Sequence, residues 1–330
     1  MTGPDRTVPR RIRWSLALGL MILSPLCAEY LVGYDDSTGD PLALLGGLFI
    51  FIPLYGAPAL LIREVARRCD LNWPGILALA AAAGVAQAAL IDQSVFSQSY
   101  RDIDYWSEMT GPTYLAPLGL SAATTLSFVA GHVIWSFGAP IAVVESFARD
   151  RRPWLRAPGL IVAVVLYLLA AAVVLRWHLS GEDDHATAPE LIGASAVVLL
   201  LVVAAFAFGR RAREPREAFT PRALPLGLGA FVLGLGYQFM PPTWAGVAGS
   251  AVLLGVAAVA VARFARSRRW TRGHIAALAT GALAASATTG YFADPIGEVS
   301  RTAQFAHNSF FLFGVLVLGF FAWRSGRSER

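Results

Sequence analysis

Residues 159–178 read GLIVAVVLYLLAAAVVLRWH and residues 189–208 read PELIGASAVVLLLVVAAFAF. The first carries no charge from Gly159 to Leu175, and the second none from Leu191 to Phe208. Each is close to the ~20 residues that cross the hydrocarbon core of a bilayer as an α-helix. Backbone groups in lipid have no water to bond, so runs of this kind must be helical. Only 15% of the 330 residues are charged, against roughly 25% in a soluble domain.

Working outward, the same pattern gives ten spans, at about 14–33, 42–62, 74–96, 117–147, 159–178, 189–208, 225–241, 245–263, 274–293 and 308–323. The expected fold is an all-α integral membrane protein, a polytopic bundle forming one transmembrane domain over 1–330. An N-terminal helix group of about 1–208 and a C-terminal group of about 225–330 flank a polar joint at 209–224.

Arginine placement orients the bundle. The chain has no lysine, and 24 of its 27 arginines fall in one set of loops and ends. Only Arg101, Arg176 and Arg301 fall on the other side, where Asp35, Asp36, Asp102, Asp104, Glu108 and the Glu182-Asp183-Asp184 run collect. Positive loops stay on the cytoplasmic side, so both termini are expected there, in a bacterial plasma membrane. Trp14, Trp73, Trp154, Trp270 and Trp323 mark the expected inner interface, and Trp106, Trp177 and Trp244 lie at or beyond the outer one. Trp135 alone falls mid-helix. Arg10-Arg11 has the outline of a twin-arginine export signal, but the long apolar run and the later spans favour a first membrane helix.

The formal net charge is +5. Because the arginines sit in short loops between apolar runs, this balance points to membrane topology and not to a nucleic-acid partner; the expected surroundings are the lipid bilayer and a small molecule or ion. Cys27 and Cys69 fall at opposite ends of the expected bundle and are not expected to pair. No His-x-x-x-His, cysteine pair, zinc-protease motif, phosphate loop or nucleophile elbow occurs, so no metal, cofactor or catalytic set is expected.

Polar residues at membrane depth are costly and so mark candidate sites. Ser121, Thr125, Phe128, His132 and Ser136 recur at helical spacing and place a polar stripe on the fourth span, with Pro140 expected to kink it. His132 is either a proton acceptor, ligand or substrate contact, or a neutral histidine bonded to a neighbouring hydroxyl or carbonyl. Gln87 and Asp92 on the third span and Glu29 on the first are candidates for an outward-facing polar cavity with it; the alternative is solvated helix ends. Pro53 and Pro58 break the second span, which ends in Arg63-Glu64. Arg63 and Glu145 are expected as a structural ion pair at the inner boundary, with substrate gating as the other reading. His307 and Asn308 fall at the outer start of the tenth span, either as site residues or as a polar helix start capped by Asn or Ser. Gly227, Gly229, Gly234 and Gly236 suit close helix packing. The aromatics of the 97–116 loop suggest that it folds down onto the bundle.

Two stretches carry a resemblance. Tyr55-Gly56 through Leu60-Leu61-Ile62-Arg63-Glu64, Trp73-Pro74, and His132 through Pro140 to Glu145 are similar to a group of actinobacterial multi-pass membrane proteins, which implies no particular activity. The similarity is good in the first half and poor in the second. Phe128-Val129-Ala130-Gly131-His132 also resembles the Phe-x-x-x-His of the CPBP (CaaX-protease-like) intramembrane enzymes. This chain has Gln87-Ala88 where a Glu pair would stand, lacks Glu-Glu-x-x-x-Arg, and has His307-Asn308 in place of His-x-x-x-Asn. That resemblance therefore implies a catalytically degenerate relative. The leading expectation is a membrane-embedded small-molecule or ion binding or transport protein. A CPBP-type relative and a non-catalytic accessory or scaffold subunit are the alternatives.

Overall fold

The computed structural model describes residues 9–148, 150–210 and 216–327. Arg6, Arg149, Arg330 and residues 211–215 of the expected joint, all part of the orientation argument, lie outside the described residues. The architecture is all-α and polytopic. Among the described residues nine helices are long and apolar enough to cross a membrane: α1 (Arg10–Tyr30), α2 (Pro41–Arg68), α3 (Trp73–Ile91), α4 (Ala122–Ser146), α5 (Ala157–Gly181), α6 (Ala188–Gly209), α8 (Trp244–Phe264), α9 (Arg272–Phe292) and α10 (Arg301–Arg327). Between α6 and α8 lies α7 (Ala223–Gln238), apolar but of only 16 residues. At ~1.5 Å per residue it is about 24 Å long, short of a ~30 Å core.

The outer faces of α5 and α6 are apolar and uncovered: Ile192 is 70% exposed and Leu200 67%. Such faces are stable against lipid and not against water. The interior is built by α1 to α4 together with α9 and α10. Gly227 and Gly234 of α7 lie against Ala277 and Ala285 of α9, so part of the glycine row does allow close packing, whereas Gly229 touches no neighbour and Gly236 meets Leu253 of α8. Trp135, the one mid-helix tryptophan, donates from its indole to the Ala282 carbonyl of α9 at 2.9 Å. Tyr237 of α7 donates to the Leu126 carbonyl of α4 at 3.1 Å. The two helix groups are thus joined through α4.

Four interior helices each contain a π-helical turn: Leu26–Tyr30 in α1, Ile52–Gly56 in α2, Ala86–Ile91 in α3 and His132–Gly138 in α4. Prolines account for much of this. Pro140 has no N–H to give the Ser136 carbonyl four residues back, and that carbonyl instead accepts from the Ser24 hydroxyl at 2.6 Å. The same hydroxyl reaches the Tyr55 carbonyl at 3.0 Å, three residues before Pro58. Pro25 likewise frees the Met21 carbonyl, and Gly56 of α2 packs on it so closely that any Cβ there would clash with that oxygen. The expected kink at Pro140 is therefore a wide turn. It also interrupts the 3.6-residue register, so the arithmetic that placed Ser136 on the same face as His132 stops at His132.

Two helix starts differ from expectation. Residues 114–121 form a small hairpin, β1 (Tyr114–Leu115) paired with β2 (Leu120–Ser121), turning at Gly119 with φ +64. Ser121 is the N-cap of α4, accepting from Thr124 N, and is not part of a membrane stripe. Helix α10 starts at Arg301, with Ser300 Oγ accepting from Ala303 N at 3.2 Å. His307 and Asn308 lie inside that helix and are buried, so neither caps it.

Candidate functional site

Each of the four wide turns holds or adjoins a polar candidate: Glu29, Tyr55, Gln87 and His132. Wide turns of this type recur at functional sites because they re-aim side chains and loosen backbone bonding. Glu29 accepts from the Tyr34 hydroxyl at 2.8 Å, and the Tyr55 hydroxyl lies beside the same carboxylate. The Tyr55 ring stacks on His132, with centroids 5.9 Å apart and planes 23° apart. Gly84 of α3 permits this arrangement, since a Cβ there would stand 2.7 Å from the His132 Cβ.

His132 Nδ1 lies 2.7 Å from the Phe128 carbonyl. A carbonyl only accepts, so Nδ1 carries the proton and Nε2 is left as an acceptor. Nε2 is buried and has no partner among the described residues. Asp92 lies near enough to His132 for their charges to interact, yet no hydrogen bond joins them. It instead accepts from the Ser94 backbone at 2.9 Å. Asp92 stands just past the end of α3, and burial pushes its carboxyl above the usual range, partly offset by the Ser94 bonds. Glu29, Tyr55, Asp92 and His132 therefore share one neighbourhood. Gln87 is fully buried with its Oε1 unpaired, one turn before Asp92.

The 97–116 loop closes over this group. Trp106, expected at or beyond the interface, is buried; its indole donates to the Ser97 carbonyl at 3.0 Å and its ring packs 6.1 Å from Phe128 and 5.1 Å from Tyr100. Burial pushes up the Tyr34 and Tyr100 phenols. At the mouth, Arg101 pairs with Asp35 at 3.1 Å.

His307 and Asn308 are not in that group. His307 Nε2 donates to the Tyr30 carbonyl at 2.7 Å, and Nδ1 accepts from Gly39 N at 3.2 Å. Gln304, unremarked in the sequence, donates to the carbonyls of Gly290 and Ala293 at 3.0 and 2.6 Å. These residues pin the 31–40 and 290–297 loops to α10. Asn308 is fully buried against Gly33 and Gly290, with neither amide atom paired among the described residues.

The opposite end holds a second cluster. Arg63 Nε lies 3.0 Å from Glu145 Oε1 and its NH1 2.7 Å from Glu64. Arg67 also pairs with Glu145. Glu64 further accepts from the backbone of Trp154 at 2.7 Å and Leu155 at 3.1 Å. The Arg63 guanidinium stacks 3.6 Å over the Trp154 ring. Sequence reasoning named Arg63 and Glu145 but missed Glu64 as the hub; a charged pair ending an otherwise apolar helix was the signal.

Among the described residues no three His, Cys, Asp or Glu side chains are placed to hold a metal ion. Nor, among those residues, does a carboxylate hydrogen-bond to His132 or His307, although Asp92 comes near His132. The fold and site define a polytopic helical membrane protein with a half-buried polar group drawn from its first four helices. The chain belongs to an uncharacterized membrane protein family, which it matches over residues 18–322. That match includes the second half, where the resemblance read from the sequence is poor. No curated protein and no solved structure matches the chain.

Proposed function

We propose that the protein binds and transports a small cationic solute or ion at the group formed by Glu29, Tyr55, Asp92 and His132. The observation that carries this is the absence, among the described residues, of any cation paired with the two carboxylates. Glu29 meets tyrosine hydroxyls and Asp92 meets Ser94, while the nearest arginine, Arg101, is held by Asp35 at the mouth. A cation would supply the missing charge, and the aromatic rings of Tyr55, Phe128 and Trp106 suit an organic one.

The test is solute-driven current across proteoliposomes, with Na+, guanidinium, methylammonium and tetramethylammonium chlorides as probes. A current is expected for at least one probe and should vanish in Glu29→Gln, while the lipid-facing control Ser195→Ala keeps it. Currents absent for every probe, or unchanged in Glu29→Gln, defeat the reading.

The arginine-rich end is proposed to face the cytoplasm of a bacterial plasma membrane, with both termini there. The support is chemical: the described loops at that end are arginine-rich and knitted to one another, as in Arg210 Nε to the Cys69 carbonyl at 3.1 Å and Arg216 N to the Arg266 carbonyl at 2.8 Å. In a Cys69→Ser background, an impermeant maleimide added to intact cells should label Asp36→Cys and spare Ala218→Cys. The reverse pattern would invert the topology.

A further inference from the structure

We propose that the arginine-rich end of the α1–α5 crevice is a binding site for an anionic phospholipid, seated by its phosphate. A cavity of about 390 Å3 opens there, with Arg10, Arg13 and Arg156 at its rim. No side-chain hydrogen bond or ion pair engages these three arginines among the described residues, and the Arg13 Nε is buried without a partner. An unpaired buried guanidinium nitrogen is costly, and a phosphate oxygen would satisfy it.

The helix ends add to this field. Both α1 and α5 begin at the cavity, and neither has an acidic residue in its first turn or a side chain capping its N-terminal N–H groups. Two uncapped N-termini direct partial positive charge at the same space. Glu64, which holds the Trp154–Leu155 backbone of the cavity wall, is consumed by Arg63, Arg68 and that backbone. Nothing negative among the described groups lining the cavity competes for the arginines.

The rest of the wall selects a lipid over a free anion. Below the arginines the crevice is lined by Leu18, Met21, Val162 and Leu166, and it opens sideways where Leu18 is 53% and Val162 56% exposed. Trp14, 46% exposed, sits at the join between the charged rim and the apolar floor, where an indole marks the membrane interface. A free phosphate would leave that apolar length empty; a headgroup with its acyl chain fills both parts. Basic pockets between helices at the charged end of a membrane protein hold acidic headgroups in this way. The site is separate from the Glu29–His132 group and stands or falls without it.

Native mass spectrometry of the full chain in detergent, with dioleoylphosphatidylglycerol and dioleoylphosphatidylcholine as competing probes, tests this. Wild-type protein should prefer the glycerol lipid by at least about tenfold. Arg13→Gln with Arg156→Gln should reduce that preference to about twofold while leaving phosphatidylcholine adducts unchanged, which also reports that the variant is folded. Val162→Trp, which fills the apolar floor, should weaken the lipid in the same way. A preference that survives the double variant overturns the proposal. So does inorganic phosphate displacing the glycerol lipid at equal concentration, which would assign a free-anion site. If the double variant does not fold, wild-type protein decides: a preference unaffected by about 0.5 M NaCl would also overturn it.

Discussion

Glu64→Ala should prevent the protein from accumulating in folded form. Its carboxylate is fully buried and accepts from Arg63, from Trp154 N at 2.7 Å and from Leu155 N at 3.1 Å. Removing one partner of a buried pair leaves an uncompensated charge, which costs about 3–5 kcal/mol. Each orphaned backbone N–H adds about 1–3 kcal/mol. Arg63 would retain Glu145 at 3.0 Å, the Arg152 carbonyl at 2.9 Å and the Trp154 ring, but the Trp154 and Leu155 N–H groups would lose their acceptor on α2. Arg68→Ala is the milder comparison: its guanidinium is 36% exposed, 3.4 Å from Glu64, and donates to the Leu155 carbonyl at 2.7 Å, so its loss should cost about 1 kcal/mol. Fluorescence-detected size exclusion after a temperature series separates the two. A Glu64→Ala midpoint equal to that of wild type would remove the cluster from any structural role.

The second large effect concerns His132. With Nδ1 donating to the Phe128 carbonyl, Nε2 is the one acceptor that the ring offers, and it is unpaired among the described residues. If it contacts the transported cation, or a proton carried by it, His132→Ala removes a hydrogen bond to a charged partner, worth about 1.5–3 kcal/mol. That corresponds to a roughly 10- to 150-fold loss in apparent affinity in the current assay. His132→Gln restores an acceptor and should recover part of it. Tyr55→Phe keeps the stacked ring but not the hydroxyl beside Glu29, and should cost less than His132→Ala. Equal currents and equal half-saturation in His132→Ala and wild type would exclude this ring from the site, while leaving Glu29 and Asp92 to be judged separately.

Hydropathy made the helices legible because lipid imposes one requirement on every span: about twenty apolar residues with internal backbone bonds. The Arg63–Glu145 contact was legible for a related reason, since two opposite charges at the same depth have few other places to go. The details that shape the site were not. A 3.6-residue wheel placed Ser136 beside His132, but the widened turn is made by Pro140 together with Ser24, which is 112 residues away in the chain from Ser136. Tyr34 and Tyr55 went unremarked as partners of Glu29 because a tyrosine near a helix end usually marks the interface. His307 and Asn308 looked like a helix start because the apolar run begins at Phe310; the polar turns from Arg301 are helical because loops pack over them. The 114–121 hairpin reads as part of a span, and only Gly119 with its positive φ betrays the turn.

The widened turn in α4 also makes chain length itself a conserved quantity of the architecture. Each helical residue advances the azimuth by ~100°. The turn takes up one residue more than a regular helix needs, so deleting a residue inside His132–Gly138 would restore a regular spiral and leave Glu145 in phase, whereas deleting one between the turn and Glu145 would swing that carboxylate by this angle, away from Arg63 and Arg67. The Glu29–His132 group and the charges around Glu145 are in this sense phased to one another along a single rod, and a count of residues, as much as their identity, keeps the two ends in step.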